Sequence, residues 1–230
     1  LNLARGEIIA FCDADDLWVH DKLASLSATF EDRTVDGAFG RIGFFMRQPG
    51  DSSTYSSVPA EPLCIAMLLG ENPVCTMSNI ALRRDAFIAS EGFDRAMVHN
   101  EDLDWLIRLV GQGARVIGVP QLHTWYRNSA AGLSSDLSAM EAGRVEALRT
   151  AAYFGVHPSR RNEAIHQRYL ARRALRLGLA RTTALRHALA GVSQSPAGFL
   201  SPVRRGGLTL VAALCATVLP RRITRQFFSR

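Results

Sequence analysis

An uninterrupted apolar run, Ile8-Ile9-Ala10-Phe11-Cys12, stops abruptly at Asp13-Ala14-Asp15-Asp16. Apolar residues without polar alternation are how a strand buried on both faces of a parallel sheet reads, and such sheets gather their ligands beyond the strands' carboxyl ends. The pattern then changes period: Leu23, Leu26 and Phe30 space as the buried stripe of an amphipathic helix over residues 21–30. Gly37–Phe45 predicts a strand. Residues 48–57, rich in Pro, Gly, Ser and Asp, predict an exposed loop. A short helix over residues 63–69 and a strand over 76–82 follow, the latter leading into a helix that begins at Arg84-Asp85. Leu103, Leu106, Ile107 and Val110 recur at i, i+3, i+4 and i+7, which predicts a helix with one buried face, ended by Gly111 and Gly113. Residues 114–119 read as a strand that Pro120 ends. Strands alternating with helices make this stretch α/β. Beyond residue 136 only helical patterns remain, at 140–154, 164–179 and 183–190, before a last apolar run at 208–219.

Charge divides the chain at the same place. Residues 1–135 hold 11 basic and 17 acidic residues, whereas 136–230 hold 16 basic and 4 acidic. The halves are therefore −6 and +12, and the expected organisation is a domain over 1–135 followed by a basic α-helical region over 136–230. A total of 230 residues with 47% hydrophobic content is enough to bury a real core. Cys12, Cys64, Cys75 and Cys215 lack paired spacing and lack a His in zinc register, so they read as buried, reduced thiols. No stretch resembles a secretory signal or reaches the ~18 apolar residues of a spanning helix. The expected location is cytoplasmic, or peripheral on the inner face of the plasma membrane. The run at 208–219, flanked by Arg204-Arg205 and Arg221-Arg222, has two readings: it lies on an anionic membrane surface, or it packs on the preceding domain. The pI of about 9.7 raises nucleic acid as a partner, but the basic residues come with few aromatics and no recognisable binding motif, so no nucleic-acid partner is expected.

Two carboxylate groups carry candidate chemistry. Asp13, Asp15 and Asp16 repel one another unless something positive lies between them, and hard oxygen clusters of this kind suit Mg²⁺ or Mn²⁺ held jointly with substrate phosphates. The alternative is an acidic turn that caps the helix at Asp21-Lys22-Leu23. Glu101 and Asp102 fall in the first turn of their helix, where its dipole favours carboxylates whatever their function, and Asp104 with Arg108 makes an i, i+4 pair.

The residues around these groups narrow the reading. The segment from Ala4-Arg5-Gly6-Glu7 through Asp13-Ala14-Asp15-Asp16-Leu17-Trp18 to Asp21-Lys22-Leu23 resembles the Asp-x-Asp region of family 2 glycosyltransferases. Glu91-Gly92-Phe93-Asp94 and Asn100-Glu101-Asp102-Leu103-Asp104-Trp105 are similar to that family's Gly-Phe-Asp stretch and Glu-Asp motif. Trp125-Tyr126-Arg127, with Gly132-Leu133-Ser134 beyond, is similar to its closing Tyr-Arg segment. The resemblance implies a GT-A, Rossmann-like α/β sheet, and an inverting transfer from a nucleotide diphosphate sugar to a hydroxyl of a saccharide or lipid-linked acceptor. Bacterial surface polysaccharide or glycolipid synthesis is the implied setting. It further implies Mn²⁺ or Mg²⁺ bound through Asp15 with Asp13, Asp13 and Asp16 assisting on the nucleotide side, and Asp102 as catalytic base beside Glu101. Asn79 is implied near the acceptor, against a plain reading in which it satisfies a strand end, and Arg127 is implied as a substrate-binding residue.

Three features depart from the family. Asn128-Ser129-Ala130 stands where many relatives place a His, and His123 replaces that His only if its strand is displaced; otherwise it reads as a core or surface residue. His20 stands where Pro is frequent. The chain opens Leu1-Asn2-Leu3-Ala4 without Met, which reads as a sheet incomplete at its N-terminus and a fragment inactive alone, with on the order of 60 residues or more preceding it. The absent His and the missing front also suit a non-catalytic nucleotide-sugar-binding or scaffold module.

Overall fold

The computed structural model describes residues 3–52, 54–127 and 136–219. Contacts divide the chain into two compact units, one made of residues 1–68, 72–129 and 143–155, the other of residues 69–71, 130–142 and 156–230. In chain order the first unit contains β1 (Ile8–Ala10), β2 (Leu17–Trp18), α1 (Lys22–Thr29), β3 (Gly37–Phe45), α2 (Ile65–Leu68), a 3₁₀ turn (Met77–Asn79), β4 (Ile80–Arg83), α3 (Arg84–Ala89), α4 (Glu101–Gly111) and β5 (Val116–Arg127). Helix α5 (Leu137–Tyr153) begins in the second unit and ends in the first. The α/β class expected from the sequence is observed, with a helical C-terminal region, but the cysteines are not buried as expected: Cys12, Cys64 and Cys75 are exposed and Cys215 is half-exposed.

The strands form one sheet in the order β1-β4-β3-β5-β2. Only β3 and β5 run parallel; the other three pairings are antiparallel. Strand β3 is central and nearly all buried, as its apolar run requires. Of its three glycines, Gly40 and Gly43 accommodate His123 and Trp125 of β5 where a Cβ would collide with them, and Gly37 lies where a Cβ would press on Val116. Glycine inside a strand marks this kind of close approach.

Two expectations about the sheet are corrected. The run ending at Cys12 is not a strand buried on both faces of a parallel sheet: β1 spans only Ile8–Ala10, is half-buried, and pairs antiparallel with β4 at the edge of the described sheet. Phe11 leaves the strand and packs with Phe87, Phe93 and Trp105, ring centroids 5.5–6.2 Å away. Nor does Pro120 end β5. Between Gly118 and Leu122 that strand takes four steps where β3 takes two, from Phe39 to Arg41, so Pro120 sits in a bulge where no ladder hydrogen bond is asked of it.

Helix α4 also faces differently from its predicted stripe. Trp105, Leu106, Ile107 and Leu109 are buried, with Asp104 beside them, while Leu103 and Val110 are half-exposed. The stripe turns because Trp105 anchors the aromatic cluster and its indole N–H donates to Ser90 Oγ at 2.8 Å. Asp104 pairs with Arg108 at 2.9 Å and accepts from Thr150 Oγ1 at 2.5 Å, and Arg108 donates to the carbonyls of Ser90 and Gly92. The Gly-Phe-Asp stretch is thus tied to the helix that bears Asp102.

The second unit is helical: α6 (Arg160–Leu177), α7 (Arg181–Gln194), α8 (Pro196–Leu200) and α9 (Val203–Val218). Helix α6 starts earlier than its apolar pattern because Ser159 and Asn162 form a capping box, and it ends at Gly178 in the left-handed conformation. Helix α8 was not apparent from periodicity; Ser195 caps it and Pro196 occupies its first turn. The core is small and tightly packed, with Ala164, Ala171, Ala188 and Ala213 buried around Phe199 and Leu170. Arg168 holds the end of α8 by donating to the carbonyls of Phe199, at 3.1 Å, and Ser201.

The packing of β3 on β5 supplies a test. In Gly40→Ala the new Cβ would lie 2.3 Å from the His123 ring, with both residues buried. Overpacking of this kind costs about 1–3 kcal/mol, so the urea midpoint should fall while the slope m stays constant.

Candidate active site

The carboxylates of the two sequence motifs converge on the segment that precedes β4. Thr76 caps the 3₁₀ turn, and its hydroxyl lies 2.9 Å from Asp13 Oδ2 and 3.3 Å from Asp16 Oδ2. A single hydroxyl proton serves whichever carboxylate it faces. Asp13 is also held through its backbone, whose N–H donates to Ser78 Oγ at 2.8 Å, and its carbonyl accepts the Asp16 N–H to close the turn. At the other end of the segment, Asn72 Nδ2 approaches Asp102 Oδ2 at 3.5 Å.

The three aspartates of the first motif are not equivalent. Asp13 and Asp15 are exposed, whereas Asp16 is only 6% exposed. Besides Thr76, Asp16 accepts the Arg127 backbone N–H at 2.9 Å. Burial raises the Asp16 carboxyl above the usual carboxylate range, and Asp13 and Asp15 push it further. Expected on the nucleotide side, Asp16 is instead turned inward, where it joins the first motif to the end of β5. Arg127, from the Tyr-Arg segment, donates from Nε to the Asp15 carbonyl at 3.0 Å and lies 4.4 Å over the Phe45 ring. Its guanidinium stays beside the aspartate turn.

Asp102 lies in the first turn of α4, after Asn100 in the left-handed conformation. Its Oδ1 accepts the Leu103 N–H at 2.8 Å. Dense protein surroundings, then Glu101, and also Asp13, push its carboxyl up to about 6. Asn72 and Thr76, four residues apart in one segment, thus reach the second and the first motif respectively.

The deepest part of the site was not singled out from the sequence. Lys22 is fully buried; Nζ donates to the Ser78 carbonyl at 2.5 Å and approaches Thr124 Oγ1 at 3.4 Å, 4.4 Å above the Trp18 ring. Desolvation lowers its amine to about 7, against the pull of Cys12 and Asp16. The same Ser78 carbonyl accepts from Trp18 Nε1 at 2.9 Å and Thr124 Oγ1 at 3.1 Å. The available signal was the polar triplet Thr76, Ser78, Asn79 in a stretch read as a strand: polar residues placed there need partners.

Asn79 is fully buried. Its amide donates to the Gly40 and Val74 carbonyls at 2.8 and 3.1 Å, and its oxygen accepts the Gly40 N–H. The side chain expected near an acceptor is thereby committed to joining the 3₁₀ turn to β3, and the plain reading as a satisfied strand end describes it. His123 is likewise a core residue, its Nε2 2.9 Å from Ser25 Oγ and its imidazole held neutral, with a pKa lowered to about 4 by burial and by Lys22. Residues 128–135, which include Asn128-Ser129-Ala130 and Gly132-Leu133-Ser134, lie outside the described residues.

Among the described residues no three His, Cys, Asp or Glu side chains converge as a ready-made metal site. Asp13 and Asp15 nevertheless offer exposed hard oxygens. A Mg²⁺-type ion commonly uses one or two carboxylates and takes the rest of its shell from water and substrate phosphates. The donor set fits such an ion.

Residues 1–90 match the model of glycosyl transferase family 2. Among solved structures, residues 1–349 of S. aureus TarS in complex with UDP are 13% identical over 98% of this chain and 67% of that chain, with a TM-score of 0.49. The same TarS fragment in complex with UDP-GlcNAc gives 13% identity, 99% and 67% coverage and a TM-score of 0.48. For a longer TarS chain the values are 14%, 98%, 41% and 0.46. No curated protein matches the sequence.

The buried lysine sets a pH dependence. Its folded pKa, about 7, lies below the unfolded value of 10.5, so between these limits the unfolded chain binds more protons and stability rises with pH. Lys22→Met should remove an increment on the order of a few kcal/mol between pH 7 and 10, measured as the difference between wild-type and variant urea-unfolding free energies across that range.

Proposed function

Because residues 1–90 match the model of glycosyl transferase family 2, we propose that the first unit serves a GT-A transferase that moves a sugar, with inversion, from a nucleotide diphosphate sugar to an acceptor hydroxyl. The observation that supports this reading is geometric: Thr76 meets Asp13 and Asp16, and Asn72, four residues earlier in the same segment, approaches Asp102. Asp102 takes the acceptor's proton. Its carboxyl is ionised above about pH 6, and burial makes it a better proton acceptor than a solvated aspartate. Attack on the anomeric carbon from the face opposite the departing diphosphate inverts its configuration. Asn72 orients the base, and Glu101 keeps its proton affinity high.

Asp13 and Asp15 would hold Mn²⁺ or Mg²⁺, which when bound supplies Lewis-acid neutralisation of the diphosphate. Asp16 and Thr76 fix the turn that presents those two carboxylates, and Arg127 adds a positive charge alongside. With the leaving group neutralised by cations, no protonated carboxylic acid is required at the site. Assembly of a bacterial surface polysaccharide or glycolipid is the setting that family analogy favours.

Two variants test the assignment in the full-length enzyme, assayed with a panel of nucleotide diphosphate sugars and Mn²⁺ and read as release of nucleoside diphosphate. Asp102→Asn keeps size and hydrogen bonding but not basicity, so kcat should fall by ~10²-fold or more with donor binding retained. The acid limb of wild-type kcat/KM should titrate near pH 6. Damage from Glu101→Gln together with a silent Asp102→Asn would assign the base to the other carboxylate. Asp15→Ala should abolish transfer while leaving Tm within a few degrees of wild type, since the side chain is exposed and relief of carboxylate repulsion offsets what is lost.

A further inference from the structure

Helix α9 is built inside out. The face packed into the second unit consists of Gly206, Thr209, Ala212, Ala213 and Ala216, all small. The large apolar residues point away from it: Val203 is 76% exposed, Leu208 61%, Val211 57%, Leu214 49% and Val218 79%. At ~100° per residue, Val203, Leu214, Val218 and Val211 fall within an arc of about 80°, and Leu208 extends it to about 140°. Arg204 is the one charged residue on that arc. The arrangement is forced by close packing, since a Cβ at Gly206 would meet the Phe199 carbonyl at 2.3 Å. Small residues let the helix approach, and its bulk is left outside.

An apolar face of this size needs a partner, and the charge of the surrounding sequence selects one. From residue 164 to the end the chain holds twelve Arg and no Asp or Glu. Three of them, Arg168, Arg172 and Arg205, face Glu71, which leaves an excess of positive charge that a second copy would set against itself, and nucleic acid has no use for a Leu and Val face. An anionic leaflet takes both: apolar side chains enter the boundary between headgroups and acyl chains while Arg side chains meet the headgroups. Sixteen residues make a helix of ~24 Å, short of the ~30 Å hydrocarbon core. No helix among the described residues is long and apolar enough to cross a membrane. We propose that α9 is an in-plane membrane helix, docking its Val203, Leu208, Val211, Leu214 and Val218 face into the surface of an anionic bilayer. This inference is independent of the carboxylate cluster and of any sugar transfer.

Vesicle flotation tests it, because bound protein rises with lipid while aggregates sediment. Wild-type protein should float with vesicles of equimolar phosphatidylglycerol and phosphatidylcholine, far less with phosphatidylcholine alone, and less again as salt is raised. The double variant Val211→Asp/Leu214→Asp changes exposed positions only, so circular dichroism and Tm should be kept. Its partition should fall about 10-fold or more through loss of two apolar contacts. Arg204→Glu should weaken binding to the anionic vesicles alone. Absence of flotation, equal flotation on both lipids, or unchanged flotation of the double variant would overturn the proposal. So would a dimer that the double variant dissociates without any vesicle binding, which would identify a second copy as the occupant.

Discussion

One backbone carbonyl organises the first unit. Ser78 accepts from Trp18, Lys22 and Thr124, while its hydroxyl accepts the Asp13 amide. Those four residues come from the aspartate turn, β2, the start of α1 and β5, so a single residue in a 3₁₀ turn sets the mutual placement of four chain segments. Ser78 is fully buried, where an unpaired polar group costs about 1–3 kcal/mol. Each partner removed would leave that carbonyl less satisfied in a place water does not reach.

The same knot explains the electrostatics. A buried ammonium under an exposed carboxylate cluster is unfavourable by desolvation, yet Lys22 is retained with Asp16 on one side and the Trp18 ring on another. Its charge sits behind the aspartates, not among them. Asp13 and Asp15 stay exposed, while Asp16 is turned inward onto the Arg127 amide. Three carboxylates in four residues thus separate into two that face solvent and one that fixes the turn.

The second unit solves a different problem. Its helices are rich in Ala and Arg, and few large side chains are available to fill a core. Close approach through Gly and Ala, around Phe199 and Leu170, is the alternative to bulk. The single carboxylate of Glu71 lies within 3.3–3.5 Å of Arg168, Arg172 and Arg205, and burial lowers Arg172 to about 10. Positive charge therefore outruns its compensation within this unit, and the apolar bulk of α9 lies on the outside.

By itself the sequence determined the class of the fold, the span of β3, the start of α4 at Glu101 and the position of the acidic turn, because each rests on a local pattern: an apolar run, a helical period, a cluster of like charges. It also placed Asp104 with Arg108, four residues apart on one helix. What it could not decide were matters of long-range pairing. Whether β1 lies at an edge depends on which strand reaches it, and Pro120 sits inside β5 only because β3 opposite is two steps shorter. Asn79 and His123 carry the same side chains whether they face a ligand or the core; Gly40, far from both in sequence, draws them inward. Nothing local marks Lys22 for burial, since an amine at a helix start usually faces water, and its partners from residues 18, 78 and 124 make that burial tolerable. Local propensity is written in neighbours along the chain, whereas the satisfaction of a buried polar group is written in neighbours across it.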